Sequence, residues 1–158
     1  MDFQSVEIQN IAPITKQAVL IRERQAVGDA VFTRGDYKSG EVKHIVLFRY
    51  AEFVSPDKRK QLMEDFLALQ HLALRDGKPY IVSITAGNQA SGEGATGGFE
   101  QGFIVTFRSQ GDRNYYVGTP VVTSPIFYDA EHQNFKNKVG PFLAKKQGVL
   151  VFDFVSGD

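Results

Sequence analysis

The chain has no cysteine and no tryptophan, and only three histidines and two methionines among its 158 residues. Without cysteine, disulfides, thiolate metal centres and cysteine nucleophiles are excluded. Eighteen basic and eighteen acidic side chains cancel, and neither sign forms a long run, which argues against nucleic acid or an anionic membrane as a main partner. No apolar run approaches the roughly 18 residues of a membrane-spanning helix. The N-terminus also lacks a basic start followed by an apolar block, so a cytoplasmic protein is expected. What the chain does hold is phenylalanine and tyrosine, thirteen and six, enough for an aromatic core or pocket. Its length suits one domain with a substantial core.

Residues 1–40 differ from the rest. Val19–Ile21 and Ala30–Phe32 read as short strands, interrupted by Gly28-Asp29, Gly35-Asp36 and Ser39-Gly40. The segment is too short for a core of its own and is expected to be an N-terminal arm or hairpin that covers a sheet edge or reaches a partner subunit. Residues 41–158 form the domain proper.

Val42–Tyr50, VKHIVLFRY, is a strand with apolar residues on both faces, so a layer must cover each side of its sheet. Ser55-Pro56-Asp57 supplies an N-cap, a proline at the first helical position and an acid in the first turn. Leu62, Phe66 and Leu69 then mark a helical stripe that runs to the Asp76-Gly77 turn. Pro79–Ala86 and Phe103–Phe107 read as the second and third strands, joined by a glycine-rich loop, Gly87–Gly98, expected over a pocket mouth. Ser109–Tyr116 is a helical turn. Ala130–Lys145 is the last helix, bent at Pro141, whose ring conflicts with the carbonyl of Asn137. Val149–Phe154 closes the chain. The order βαββαβ predicts a ferredoxin-like α+β protomer with an antiparallel sheet. That layout leaves one sheet face without helices, and a homodimer would supply the missing layer.

Four stretches, VKHIVLFRY, SPDKRKQLMEDFLAL, FIVTFRSQGDRNYY and HQNFKNKVGPFL followed by VLVFDF, make residues 42–154 resemble the stress-responsive A/B barrel domain (Dabb) family, the dimeric α+β barrel proteins. The resemblance implies a homodimer whose two sheets close into a barrel, with a small pocket in each protomer. Most of the family has no assigned reaction; one plant member closes a polyketide ring by acid–base chemistry, and its key histidine corresponds to His132. A strand-one histidine of the family corresponds to His44. The family's pocket tyrosine lies about half a dozen residues before that histidine, often through His-Pro-x-His. Here Tyr116 precedes His132 by sixteen positions and Asp129 stands where the earlier histidine would be. Tyr115, Tyr116 and Tyr128 are the alternatives for the tyrosine.

If Asp129 is the N-cap of the last helix, His132 lies in its first turn, where the helix dipole disfavours imidazolium and leaves a neutral base. Such an imidazole in an aromatic pocket can take a proton from an activated carbon or a phenol. The plainer reading has His132 continue the apolar stripe with Phe135, Val139 and Phe142, Asp129 being only a cap. His44 alternates with Val46 and Phe48 and points into a packed layer, as a structural histidine or a second pocket residue. His71 belongs to surface or rim packing. Arg113, Tyr115 and Tyr116 either meet a ligand's carboxylate and carbonyl or pack a helix on the sheet. No histidine or carboxylate spacing suits a metal. Gly92-x-Gly94-x-x-Gly97 matches a dinucleotide fingerprint only literally, because a strand and not a helix follows it.

Two functions are therefore expected. One is a stress-type protein that binds a small apolar or aromatic molecule in its barrel pocket, with His44, Arg113, Tyr115, Asp129 and Phe135 as contacts. The other is a cofactor-independent enzyme, polyketide cyclase-like or, on fold analogy alone, monooxygenase-like, with His132 as base and Tyr116 or Tyr128 orienting it. Neither requires a cofactor or a metal.

Overall fold

The Thr15 side chain accepts a hydrogen bond from the Ala18 amide and caps the first element of the computed structural model, which describes residues 14–158. That element is a helix, α1 (Lys16–Val27), ended by Gly28 at φ 87°, and a single turn, α2 (Asp29–Phe32), follows it. The two short strands expected here are thus helical. Val19–Ile21 suggested a strand, but Lys, Gln, Ala, Arg and Glu around it are good helix formers, and a cap at each end decides the outcome. Phe32 is fully buried, and the Asn114 side chain donates to its carbonyl. The end of this segment is therefore fixed to the body, while residues 1–13 of the expected arm lie outside the described part.

The main sheet has four antiparallel strands in the order β4-β5-β1-β6: β1 (Ser39–Phe48), β4 (Ser83–Asn88), β5 (Gln101–Ser109) and β6 (Val149–Val155). With the helices α3 (Pro56–Leu72) and α5 (Ala130–Val139) this is the expected ferredoxin-like α+β arrangement. Ser55 caps α3 by accepting from the Lys58 amide. A short helix, α4 (Gln110–Val117), follows β5 directly, capped by Ser109.

Several boundaries differ from those expected, each through one residue. Asp76-Gly77 does not end α3, which stops at Leu72. Both residues have positive φ, 51° and 77°, and they form the two-residue turn of a small hairpin, β2 (Leu74–Arg75) and β3 (Lys78–Pro79). Pro79, which has no amide hydrogen, delays β4 to Ser83. Pro141 does not bend the last helix but ends it, α5 stopping at Val139 before a 3-10 turn over Gly140–Phe142.

Val42, His44, Val46 and Phe48 of β1 are buried under the helices with Phe103, Val105 and Phe107 of β5. Phe66 joins them, stacked on Phe103 at 4.2 Å between ring centroids and meeting Phe135 edge-on at 5.0 Å. On the opposite face Ile45 pairs with Ile104 and Phe152, and Leu47 pairs with Leu150. Ile104, Leu150, Phe152 and Phe154 are exposed there, with Phe152 at 59%. Directly paired residues share a face, so these side chains make one continuous apolar stripe. Among the described residues no helix is long and apolar enough to cross a membrane.

Candidate functional site

β1, β6 and α5 line an open-mouthed cavity of about 420 Å³, with Val117, Thr119 and Pro120 on its remaining side. The volume suits a small organic molecule. Val46, Phe48, Phe66, Phe135, Val139 and Val151 give it apolar walls, and polarity comes from His44, His132, Lys136 and Thr119.

His132 reaches the cavity because Asp129 starts α5 where it does. One carboxylate oxygen, Asp129 Oδ1, accepts from the Glu131 amide at 2.9 Å and the His132 amide at 3.2 Å. The ring is then fixed from both sides. Its Nδ1 lies 2.5 Å from the Tyr116 carbonyl. A carbonyl only accepts, so Nδ1 carries the hydrogen and Nε2 keeps the lone pair. The Tyr116 ring stacks on the imidazole at 3.8 Å and 13°. Burial, and after it the Lys136 ammonium one turn along α5, lower the His132 pKa to about 3. At neutral pH this is an uncharged imidazole with one free acceptor nitrogen.

His44 occupies the opposite wall. Its Nδ1 donates to Asp153 Oδ1 at 2.7 Å, and Arg113 Nη1 donates to the other carboxylate oxygen at 3.1 Å. Burial alone would raise the Asp153 carboxyl, but the His44 hydrogen bond and the Arg113 charge hold it below the usual range. Asp153 therefore fixes the tautomer and direction of the His44 ring as a buried carboxylate does for a catalytic imidazole. β1–β6 register is the cause, since it sets His44 directly opposite Asp153.

Other residues singled out in the sequence are distributed differently. Tyr116 is fully buried behind His132, edge-on to His44 at 5.7 Å, and its hydroxyl has no partner among the described residues. It supports the rings and does not line the cavity. Tyr115, the next residue on α4, points away, stacks edge-on with Tyr80 and lies under the Arg75 guanidinium at 4.1 Å. Tyr128 packs on Gly118, where an added Cβ would lie 2.7 Å from the tyrosine's own. Asp129, apart from its cap, accepts from the buried Tyr80 hydroxyl. Arg113 acts on the cavity only through Asp153, and the Gly87–Gly98 loop stays outside the cavity lining. Phe135 is in the wall. His71 is exposed on α3. Among the described residues no group of three or more His, Asp or Glu is arranged to hold a metal ion.

Lys136, Thr119 and Asp153 were not singled out from the sequence. Lys136 donates to the carbonyls of Val117 and Thr119, each at 3.0 Å, and to Thr119 Oγ1 at 3.2 Å. Burial lowers its pKa. Its spacing of four from His132 on one helix was the available signal. For Asp153 it was a lone acid in an otherwise apolar strand.

A ferredoxin-like sheet and the helix α5 above it, each carrying one oriented histidine beside an apolar cavity, define a small α+β protein with a ligand-sized pocket. The stress-responsive A/B barrel domain matches residues 42–156, and the chain belongs to that family. Comparison with curated proteins finds no match. Among solved structures, one from Arabidopsis thaliana is similar at 25% identity and TM-score 0.58, over 74% of this chain and 96% of that one. A hydroxynitrile lyase from Passiflora edulis is similar at 22% identity and TM-score 0.59, over 76% and 96%. A dimeric ferredoxin-like protein of unknown function from Thermobifida fusca is similar at 17% identity and TM-score 0.53, over 74% and 92%.

Proposed function

We propose that this chain is a cytoplasmic homodimer that binds a small apolar or aromatic molecule in the cavity between β1, β6 and α5. The observation that carries this reading is the cavity itself, about 420 Å³ with almost wholly apolar walls and a histidine on each of two facing walls. Dimerisation is supported by the exposed stripe of Ile104, Leu150, Phe152 and Phe154. Burying four such side chains is worth several kcal/mol, at roughly 1.5–3 kcal/mol each when fully covered. Placing a charge in the stripe with Phe152→Asp should convert the dimer to monomer at micromolar concentration by analytical ultracentrifugation. A substituted chain that remains dimeric would remove the sheet face as the interface.

Acid–base chemistry without a cofactor is the second reading, and one arrangement favours it. His132 offers a neutral Nε2 acceptor, while His44 is oriented from behind by Asp153. A carbon acid or phenol in the cavity would be held by a hydrogen bond to His132 Nε2, which with a pKa of about 3 is too weakly basic to take the proton. His44, backed by Asp153, would accept it. A hydroxynitrile lyase of this fold adds analogy only.

Ligand screening by thermal shift tests both readings. Native protein should be stabilised by small aromatic compounds, and His132→Ala should lose at least half of that stabilisation. Equal stabilisation of both proteins by every hit would remove His132 from binding and from any chemistry in the cavity.

A further inference from the structure

Between α1 and the edge of β6 lies a second, larger space of about 990 Å³. Its walls are Lys16, Gln17, Leu20 and Glu23 on one side, and Arg113 with Val151–Val155 on the other. Lys16, Leu20 and Glu23 recur at i, i+4 and i+7, so one face of α1 looks across this space. No residue of α1 is buried. Within the described residues the helix is held at its C-terminal half, where Glu23 pairs with Lys38 at 2.7 Å and Arg24 with Asp29 at 3.1 Å. A helix of 12 residues is marginal in water without packing, so α1 needs a cover for Leu20. Among the described residues β6 has a neighbour on one side only, and no described strand pairs with its outer edge.

Two continuities identify the cover. Phe152 and Phe154 line this space and also belong to the exposed stripe of the sheet, so a copy seated on the stripe reaches the space without a break. Val151 and Pro120 line both this space and the inner cavity, so what fills one borders the mouth of the other. We infer that a second copy of this chain enters the crevice between α1 and β6, so that α1 clasps the other protomer and the filled crevice closes the mouth of the ligand cavity. The inference rests on the homodimer reading. It assigns a role to a helix that precedes the family domain, which begins at residue 42.

Hydrogen exchange of the full chain, measured above and below the dimer dissociation constant, tests it together with Leu20→Glu. Amides of α1 should gain about tenfold protection in the dimer. Leu20→Glu should raise the dimer dissociation constant by about tenfold or more, the scale of one buried leucine, with the circular dichroism of the monomer unchanged. Gln25→Glu, on the opposite face of α1, should leave the constant alone. If α1 is equally protected in monomer and dimer, no second copy enters the crevice, and the inference fails while the dimer stands. An unchanged constant for Leu20→Glu, where Phe152→Asp gives monomer, overturns the clasp in the same way. A native chain monomeric at all concentrations would fail the dimer reading and this inference with it.

Discussion

Asp129→Ala should destabilise the protein by about 2–4 kcal/mol. The substitution removes both amide acceptances that start α5, a cap worth about 1 kcal/mol. It also strands the hydroxyl of Tyr80, a buried residue whose hydrogen-bond partner is Asp129, and an unsatisfied buried hydroxyl costs roughly 1–3 kcal/mol. Asp129→Asn keeps a carbonyl oxygen for the cap and should lose clearly less. Urea unfolding at neutral pH measures both. A loss under about 1 kcal/mol for the alanine variant would mean that neither the cap nor the Tyr80 hydrogen bond stabilises the fold.

The contrast between Asp129 and Asp153 illustrates what could be read in the sequence and what could not. Local rules identify Asp129 as a cap, since a cap is decided within three residues. They also identify the β1 strand, the Ser55 start of α3 and the ferredoxin-like order. The same locality fails for Asp153. Its partner His44 is 109 residues away, and only the pairing of β1 with β6 brings them together. Tyr115 and Tyr116 are a second case. Neighbours on a helix diverge by about 100°, so one ring supports His132 and the other packs beneath Arg75, a division fixed by the packing of α4 on the sheet. α1 is hard to read because Val19–Ile21 is a plausible strand by composition, and the helix formers around it, with the Thr15 cap and the Gly28 end, decide for a helix. His132 was found because cap, stripe and family resemblance converge on it.

That convergence makes the acid range the most informative place to measure stability. In the unfolded chain the His132 imidazole has its ordinary pKa of 6.5, whereas in the folded protein burial, followed by the Lys136 charge, lowers it to about 3. Between those values the unfolded state binds a proton that the folded state does not. Stability therefore rises with pH across the window and is lost as pH falls below about 6.5. Each pH step of one within the window is worth about 1.36 kcal/mol, so the loss from pH 7 to pH 5 should be about 2 kcal/mol, and it should deepen toward pH 4. Asp153, whose pKa is held below 3.8, gives up its contribution only at lower pH. The Asp112 carboxyl, raised above 3.8 by burial, instead takes a proton earlier in the folded state and offsets part of the slope toward pH 4. Lys136, His44 and Tyr116 face the ring from α5, β1 and α4. They remain in His132→Gln, which should be offset in stability at pH 7 yet lose most of the slope between pH 7 and pH 5. Equal slopes for the two proteins would mean that the cavity admits enough water to solvate imidazolium. His132 would then keep its ordinary basicity in the folded protein, mostly neutral at pH 7, and it rather than His44 would be the group that takes a proton in the cavity.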